Sequence, residues 1–90
     1  MLLCGSKLPD AEMRVVTRYS RREYAGMIRY HTETMYVKDP PERDGVPDVE
    51  DIRTRAAGFI RQQQRDPNNF FVVWQRIEIK DRITGRWITL

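Results

Sequence analysis

Apolar and polar residues alternate most regularly in the last third of the chain. One parity of the segment 70–80 holds Phe71, Val73, Ile77 and Ile79, and the other holds Phe70, Val72, Trp74, Arg76, Glu78 and Lys80. A period of two residues is typical of a β-strand that buries one side. Because a tight Arg-Ile-Thr-Gly loop follows at 82–85, the pattern predicts a β-hairpin.

The hairpin register follows from the residues that it places opposite each other. It pairs Asp81 with Arg86, Lys80 with Trp87, Ile79 with Ile88, and Ile77 with Leu90. These are one ion pair, one cation–aromatic pair and two aliphatic pairs, all of which stabilise neighbouring strands. A slip by one residue would place Ile88 on the polar side, which disfavours the alternative.

A helix is predicted to begin after Asp48, a good N-cap residue with Asp51 three positions later. A single stripe then recurs at helical spacing over about five turns. Its members are Val49, Ile52, Ala56, Phe59, Ile60 and Gln63. Acidic residues at the start and arginines at the end suit the helix dipole. The run Asp66-Pro67-Asn68-Asn69 ends the helix.

The segment 20–37 fits two patterns. Alternating β-branched and aromatic residues (Ile28, Tyr30, Thr32, Thr34, Tyr36) favour a strand. A capping box at Ser20 and Glu23, followed by apolar residues at spacings of three and four, fits a helix instead. We favour the strand because threonine and tyrosine lower helix propensity. Val15, Val16 and Tyr19 then form a preceding strand, the turn lies near 20–23, and Gly26 is a turn or bulge residue.

These elements predict an α+β fold of order ββαββ, with a four-stranded antiparallel sheet and one helix packed on one face. The helix is expected to cover Phe71, Val73, Ile77, Ile79, Ile88 and Leu90. Residues 1–12 are interpreted as a flexible N-terminal arm and 13–90 as a single domain. The acidic segment 39–48 contains three prolines and a glycine, which predicts a loop without a regular element.

Composition narrows the class of protein. A chain of 90 residues has room for one domain. No apolar run is long enough for a membrane span, Cys4 is the only cysteine, and no signal peptide is evident, so we expect a cytoplasmic protein. The net charge of +3 is uneven, because residues 39–51 carry six acids against one arginine. The sequence therefore predicts a basic body around an acidic segment.

The residue set argues against an enzyme. His31 is the only histidine and has no orienting group at a telling spacing, and Cys4 lies 27 positions away. One cysteine and one histidine cannot fill a zinc site, and the acidic loop lacks a complete calcium-ligand spacing. Single, scattered glycines form no phosphate-binding loop. We therefore predict no catalytic residue, no metal and no cofactor.

The polar side of the hairpin is the candidate site. It is expected to gather Trp74, Arg76, Lys80, Arg86 and Trp87, with Tyr24, Tyr30 and Tyr36 joining according to the register. Tryptophan, tyrosine and arginine dominate protein-interface hot spots, and the same mixture stacks bases and neutralises phosphates. A third interpretation is structural, with the indoles half-buried under basic stems or in a homodimer seam.

The helix offers a secondary basic strip at Arg53, Arg61 and Arg65. A charged helix side is most often simply solvated, although arginine can grip carboxylate or phosphate. The leading hypothesis is a small non-enzymatic protein-binding module, an adaptor or inhibitor of the size that phages and mobile elements often encode. The alternative is a single-stranded nucleic-acid-binding module that uses the same face.

Overall fold

A computed structural model describes the backbone of residues 2–4 and the whole of residues 12–90. The main sheet contains five strands: β1 (Leu2–Cys4), β2 (Met13–Arg22), β3 (Ile28–Val37), β6 (Phe70–Lys80) and β7 (Trp87–Thr89). A small separate hairpin is formed by β4 (Glu42–Arg43) and β5 (Val46–Pro47). One α-helix, α1 (Val49–Gln62), links that hairpin to β6.

The strands of the main sheet lie in the order β1-β3-β2-β6-β7, and each neighbouring pair is antiparallel. The four strands β3-β2-β6-β7 and α1 confirm the predicted ββαββ, α+β fold. Strand β1 adds a fifth strand beside β3, so Leu2–Cys4 of the predicted flexible arm belongs to the sheet. The remainder of that arm, residues 1 and 5–11, lies outside the described residues.

The segment 20–37 forms the end of β2, a turn and β3 rather than an α-helix, and the turn lies at 23–27 instead of the predicted 20–23. Strand β2 runs to Arg22, and the chain reverses over 23–27, where Glu23 N–H donates to the Met27 carbonyl at 2.7 Å. Ala25 and Gly26 have φ of 63° and 75°, a left-handed conformation that glycine adopts without strain. Gly26 is therefore a turn residue, and β3 carries the alternating tyrosines and threonines.

Helix α1 begins as the sequence predicts and ends earlier. Asp48 Oδ1 accepts from the Asp51 N–H at 3.1 Å, and Ile52, Ala56 and Ile60 form the buried stripe. The helix ends at Gln62, because the next two N–H groups bond three residues back, which tightens the last turn. The predicted stripe is therefore too long, because Gln63 lies beyond the helix. It is also too wide, because Phe59 is 36% exposed.

The prediction that 39–48 contains no regular element is wrong. Asp44 and Gly45, with φ of 54° and 80°, form a two-residue turn between β4 and β5. Two consecutive left-handed residues match the twist of a tight hairpin, and Asp-Gly suits both positions. Pro47, the proline within these short strands, is tolerated because this hairpin has only two residue pairs.

Strand β6 contains a β-bulge that reverses the burial of its first half. Arg18 pairs with Trp74, but its neighbour Tyr19 pairs with Val72, so Val73 is an extra residue. Phe70 is therefore buried beneath α1, whereas Phe71 and Val73 are 60% and 50% exposed. The predicted burial of these two side chains is wrong, because strict alternation assumes an uninterrupted strand.

The C-terminal hairpin has the predicted register. Lys80 pairs with Trp87 and Ile79 with Ile88, and Leu90 N–H donates to the Ile77 carbonyl at 2.9 Å. The expectation that α1 covers Ile88 and Leu90 is wrong, since they are 47% and 60% exposed. Helix α1 packs over β2 and β6, so it leaves the outer strand β7 uncovered.

One apolar core lies between α1 and the sheet. Its buried members are Met13, Val15, Tyr19, Met35, Val37, Ile52, Ala56, Ile60, Phe70 and Ile77. Gln75 joins the same layer as a polar clasp, donating from Nε2 to the Arg53 carbonyl and to Thr17 Oγ1. No helix in the described residues is long and apolar enough to cross a membrane. The core thus lies on one side of the sheet, and no described helix or strand covers the other side.

The bulge predicts that two adjacent phenylalanines differ sharply in their effect on stability. Phe70→Ala should lower the free energy of unfolding by about 3–5 kcal/mol, because it opens a cavity in the core. Phe71→Ala should cost less than about 1 kcal/mol, because its side chain is largely exposed. Urea unfolding of the two variants measures the difference, and equal losses would contradict the bulge.

Candidate functional site

The side of the sheet opposite α1, here called the open face, gathers most of the exposed aromatic side chains. Its position follows from alternation along β2, where Met13, Val15 and Tyr19 point to the helix. From β2 and β3 the open face takes Arg14, Val16, Arg18, Ser20, Arg22, Ile28, Tyr30, Thr32, Thr34 and Tyr36. From β6 and β7 it takes Phe71, Trp74, Arg76, Glu78, Lys80, Trp87 and Thr89.

One aromatic cluster surrounds Trp74, whose side chain is 42% exposed. The Arg76 guanidinium lies 5.4 Å from the centre of the Trp74 ring. Arg18, the cross-strand partner of Trp74, lies 5.4 Å from the Tyr30 ring and donates from Nη1 to Thr32 Oγ1 at 3.0 Å. This cluster therefore presents two rings, each with a guanidinium beside it.

A second aromatic cluster surrounds Trp87 at the other end of the open face. The Arg14 guanidinium lies 4.3 Å from the Trp87 ring centre and Lys80 Nζ lies 6.0 Å from it. The Tyr36 ring approaches edge-on, with its centre 6.2 Å away. Lys80, the cross-strand partner of Trp87, is six positions after Trp74 in β6. At the rise of a β-strand this puts the clusters about 20 Å apart. The open face thus has two separate aromatic subsites.

Glu78 connects the two clusters. It is only 7% exposed, and its two carboxylate oxygens lie 2.7 Å from Arg14 Nε and 3.6 Å from Arg76 Nε. A carboxylate with two guanidinium partners orients both of them across the strands. Within residues 12–90, Glu78 is the one acid on the open face, which also carries Arg14, Arg18, Arg22, Arg76 and Lys80. The face therefore has a clear surplus of positive charge.

The structure places four of the five predicted site residues on the open face: Trp74, Arg76, Lys80 and Trp87. Arg86 does not join them. It is exposed in the turn before β7, and strand alternation assigns it to the side opposite its neighbour Trp87. Tyr30 and Tyr36 do lie on the open face, whereas Tyr24 lies in the β2–β3 turn and is 94% exposed.

The sequence analysis missed the contribution of β2. Arg14 and Arg18 reach the rings of Trp87 and Tyr30, whereas the predicted basic partners all belonged to the hairpin of β6 and β7. The signal was present, because Arg14, Arg18 and Arg22 recur at even positions of one strand. Knowing that β2 lies between β3 and β6 would have placed these arginines among the aromatic rings.

The secondary basic strip does not form one surface. Arg53 Nη1 donates to the Gln75 carbonyl at 3.2 Å and so fastens α1 to β6. The Arg61 guanidinium lies 5.3 Å from the Phe70 ring and covers its exposed edge. Arg65 lies beyond the helix, in a cleft with Arg21, Tyr24 and other residues of the β2–β3 turn. The first two arginines therefore have structural contacts.

Glu23 organises the far end of the sheet. Its carboxylate lies 2.9 Å from Arg21 Nε, 2.9 Å from Arg29 Nε and 3.3 Å from His31 Nε2. The hydrogen bond from Arg21, with help from His31 and Arg29, outweighs burial and lowers the pKa of Glu23. His31 also stacks on Tyr19, with ring centres 5.5 Å apart. The sole histidine thus sits at the edge of the core beside a carboxylate.

Among residues 2–4 and 12–90, no group of three or more histidine, cysteine or acidic side chains could hold a metal ion. Comparisons of the chain with protein-family models, with curated proteins and with solved structures found no match. The open face is therefore interpreted from its own chemistry.

The lowered pKa of Glu23 predicts a pH dependence of stability. A carboxyl group with a lower pKa in the folded state stabilises the fold above its unfolded pKa, and loses that contribution as pH falls through the folded pKa. Glu23→Gln should therefore flatten the decline of the free energy of unfolding between about pH 5 and pH 3. Urea unfolding across this range measures it, with the exposed Glu42→Gln as the charge-matched control. Parallel curves for wild type and Glu23→Gln would contradict the prediction.

Proposed function

We propose that this chain is a non-enzymatic protein-binding module, an adaptor or inhibitor that docks a partner through the open face. The observation that carries the proposal is the pair of aromatic clusters with an arginine beside the rings of Trp74, Tyr30 and Trp87. They lie on a sheet face that no other described element covers. Aromatic anchors flanked by arginine are the residues that most often dominate binding energy at protein interfaces.

The charge of the open face indicates the chemistry of the partner. Because its one acid is matched by two arginines, an approaching surface encounters mainly positive charge. We therefore expect an acidic partner surface with apolar side chains that contact Trp74 and Trp87. The acidic segment 39–48 lies near the Trp87 end, because its Pro40 and Pro47 line a cleft with Ile79 and Lys80. Its negative charge supports a defined orientation of the bound partner. We expect the most acidic part of the partner surface to lie at the Trp74 end, away from the acidic segment 39–48.

The environment of the rings favours a protein over bases. The rings of Trp74, Trp87 and Tyr30 each have a guanidinium within 5.4 Å, so one side of each ring is already engaged. A base needs a whole ring face to stack and competes with the arginine for one of the two faces, whereas an apolar side chain also packs against a ring edge.

The proposal predicts a binding hot spot at Trp74. Trp74→Ala should weaken the complex by about 2 kcal/mol, roughly thirty-fold in affinity. The partner would be captured on the immobilised chain, identified by mass spectrometry, and titrated against each variant by calorimetry. Tyr24→Ala is the matched control, because it removes an exposed aromatic ring that lies off the open face. Unchanged affinity for both Trp74→Ala and Trp87→Ala would overturn the proposal.

A second candidate function, binding of single-stranded nucleic acid, is favoured by one specific observation. Among the described residues, five basic side chains and five aromatic rings share the open face with a single carboxylate. This candidate predicts that affinity for a fluorescent oligothymidine falls steeply as salt rises, measured by anisotropy. Tyr24→Ala again serves as the control variant, and its affinity is compared with that of the wild-type chain. No binding at about 50 mM salt would eliminate it.

A further inference from the structure

A groove of about 400 Å³ lies between α1 and β6, here called the helix groove. Arg53, Ala57, Gly58 and Arg61 line it from the helix, and Val72 lines it from the strand. Strand β6 pairs with β7 only at its C-terminal end, so no described strand lies beside its first half on this side. The groove is therefore open to a segment of another molecule.

Two arginines give the helix groove its charge. Arg53 donates to a backbone carbonyl of β6 and Arg61 lies over an aromatic ring, and both of these partners are neutral. Within residues 12–90 neither guanidinium forms an ion pair, whereas Arg55, which does not line the groove, binds the Asp51 carboxylate at 2.7 Å. Glu50 is the one acid among the lining residues, so the groove keeps a net positive charge.

The helix surface between the two arginines is low and accessible. Gly58 is exposed, and a Cβ atom added to it would meet no other atom within 4 Å. Glycine is a poor helix former, so packing within the described chain does not explain its position in the middle of α1. A residue without a side chain does allow a bound segment to approach the helix backbone closely. Val72, which is 40% exposed, adds an apolar contact from β6.

We propose that the helix groove binds an extended acidic segment of a partner protein, with one carboxylate on Arg53 and another on Arg61. The two arginines are about 12 Å apart along the helix axis. In an extended chain, side chains four positions apart point to the same side and are separated by about 13 Å. The residue midway between them points the same way, so an apolar side chain there contacts Val72. The segment recognised is thus acid-x-apolar-x-acid.

The lining favours a peptide over a nucleic acid. Both could place two negative charges on the arginines, but no aromatic side chain of residues 12–90 lines the groove, so a base has no ring on which to stack. Carboxylates form charge-assisted hydrogen bonds with guanidinium groups, and the apolar residue between them matches the open surface at Gly58 and Val72.

This inference goes beyond the proposed function because the helix groove and the open face lie on opposite sides of the sheet. Val72 pairs with Tyr19, a core residue beneath α1, which places Val72 on the helix side. A partner on the open face therefore leaves the groove accessible, and substitutions in the groove leave Trp74 and Trp87 in place.

A titration of the isotope-labelled full chain, followed by two-dimensional NMR, tests the proposal. The probe is a peptide with blocked ends that contains Glu-Ala-Val-Ala-Glu, added at about 50 mM salt to limit screening. We expect saturable shifts of the Gly58 and Val72 amide signals. A matched peptide with glutamine in place of both glutamates should bind about ten-fold more weakly, because it keeps the shape and loses the charge.

Three variants locate the binding site. Arg61→Gln should weaken binding of the acidic peptide about five-fold or more. Arg55→Gln is its matched control, because it makes the same substitution on the same helix outside the groove, and it should leave the affinity unchanged. Gly58→Leu should weaken binding about ten-fold although both groove arginines remain, because leucine fills the space and is a better helix former than glycine.

The results decide the proposal as follows. Absence of saturable shifts at peptide concentrations up to about 2 mM overturns it. Equal affinity for the glutamate and glutamine peptides, or equal losses in Arg61→Gln and Arg55→Gln, also overturns it. Displacement of the peptide by an equal concentration of oligothymidine assigns the groove to nucleic acid instead. If circular dichroism shows that Gly58→Leu does not fold, the comparison of the two arginine variants decides alone.

Discussion

The arrangement of functional side chains depends on a single extra residue in β6. At Val73 the strand gains one position relative to β2. The side chains before Val73 therefore lie on the side of the sheet opposite to the one that uninterrupted alternation would give them. Phe70 enters the core beside Tyr19, with ring centres 5.1 Å apart, while Phe71 joins Trp74 on the open face. A bulge of this kind is a common way to redirect a side chain without ending a strand. It concentrates exposed aromatic area at one end of the sheet.

Helix α1 and Glu78 together define the proposed docking face. Helix α1 lies over β2 and β6 and covers one side of the sheet, which leaves the other side to arginines and aromatic rings. Glu78, nearly buried between Arg14 and Arg76, holds two of those arginines in defined directions. A pre-oriented guanidinium loses less conformational entropy on binding, which supports the proposal that this face docks a partner.

Most of the fold follows from the sequence because its signals are local. The Asp48 cap, the Ile52–Ile60 stripe and the β6–β7 register are all determined by residues close together in the chain. Three features depend on partners distant in sequence and were not predictable. The bulge arises only where β2 meets β6, strand β1 pairs with a distant β3, and Arg14 reaches Trp87 only because β2 lies in the middle of the sheet. Alternation alone placed both indoles on the side of the sheet where they lie, but it placed the wrong phenylalanine in the core.

The central claim is that the bulge presents Trp74 and Phe71 on the open face and buries Phe70. A nuclear Overhauser spectrum of the labelled chain tests it most directly, because ring-proton contacts report which aromatic side chains meet α1. The account predicts contacts from the Phe70 ring to Tyr19 and to α1, and none from Phe71 or Trp74 to the helix. Contacts between the Phe71 ring and Ile60, with Phe70 in solvent, would contradict it.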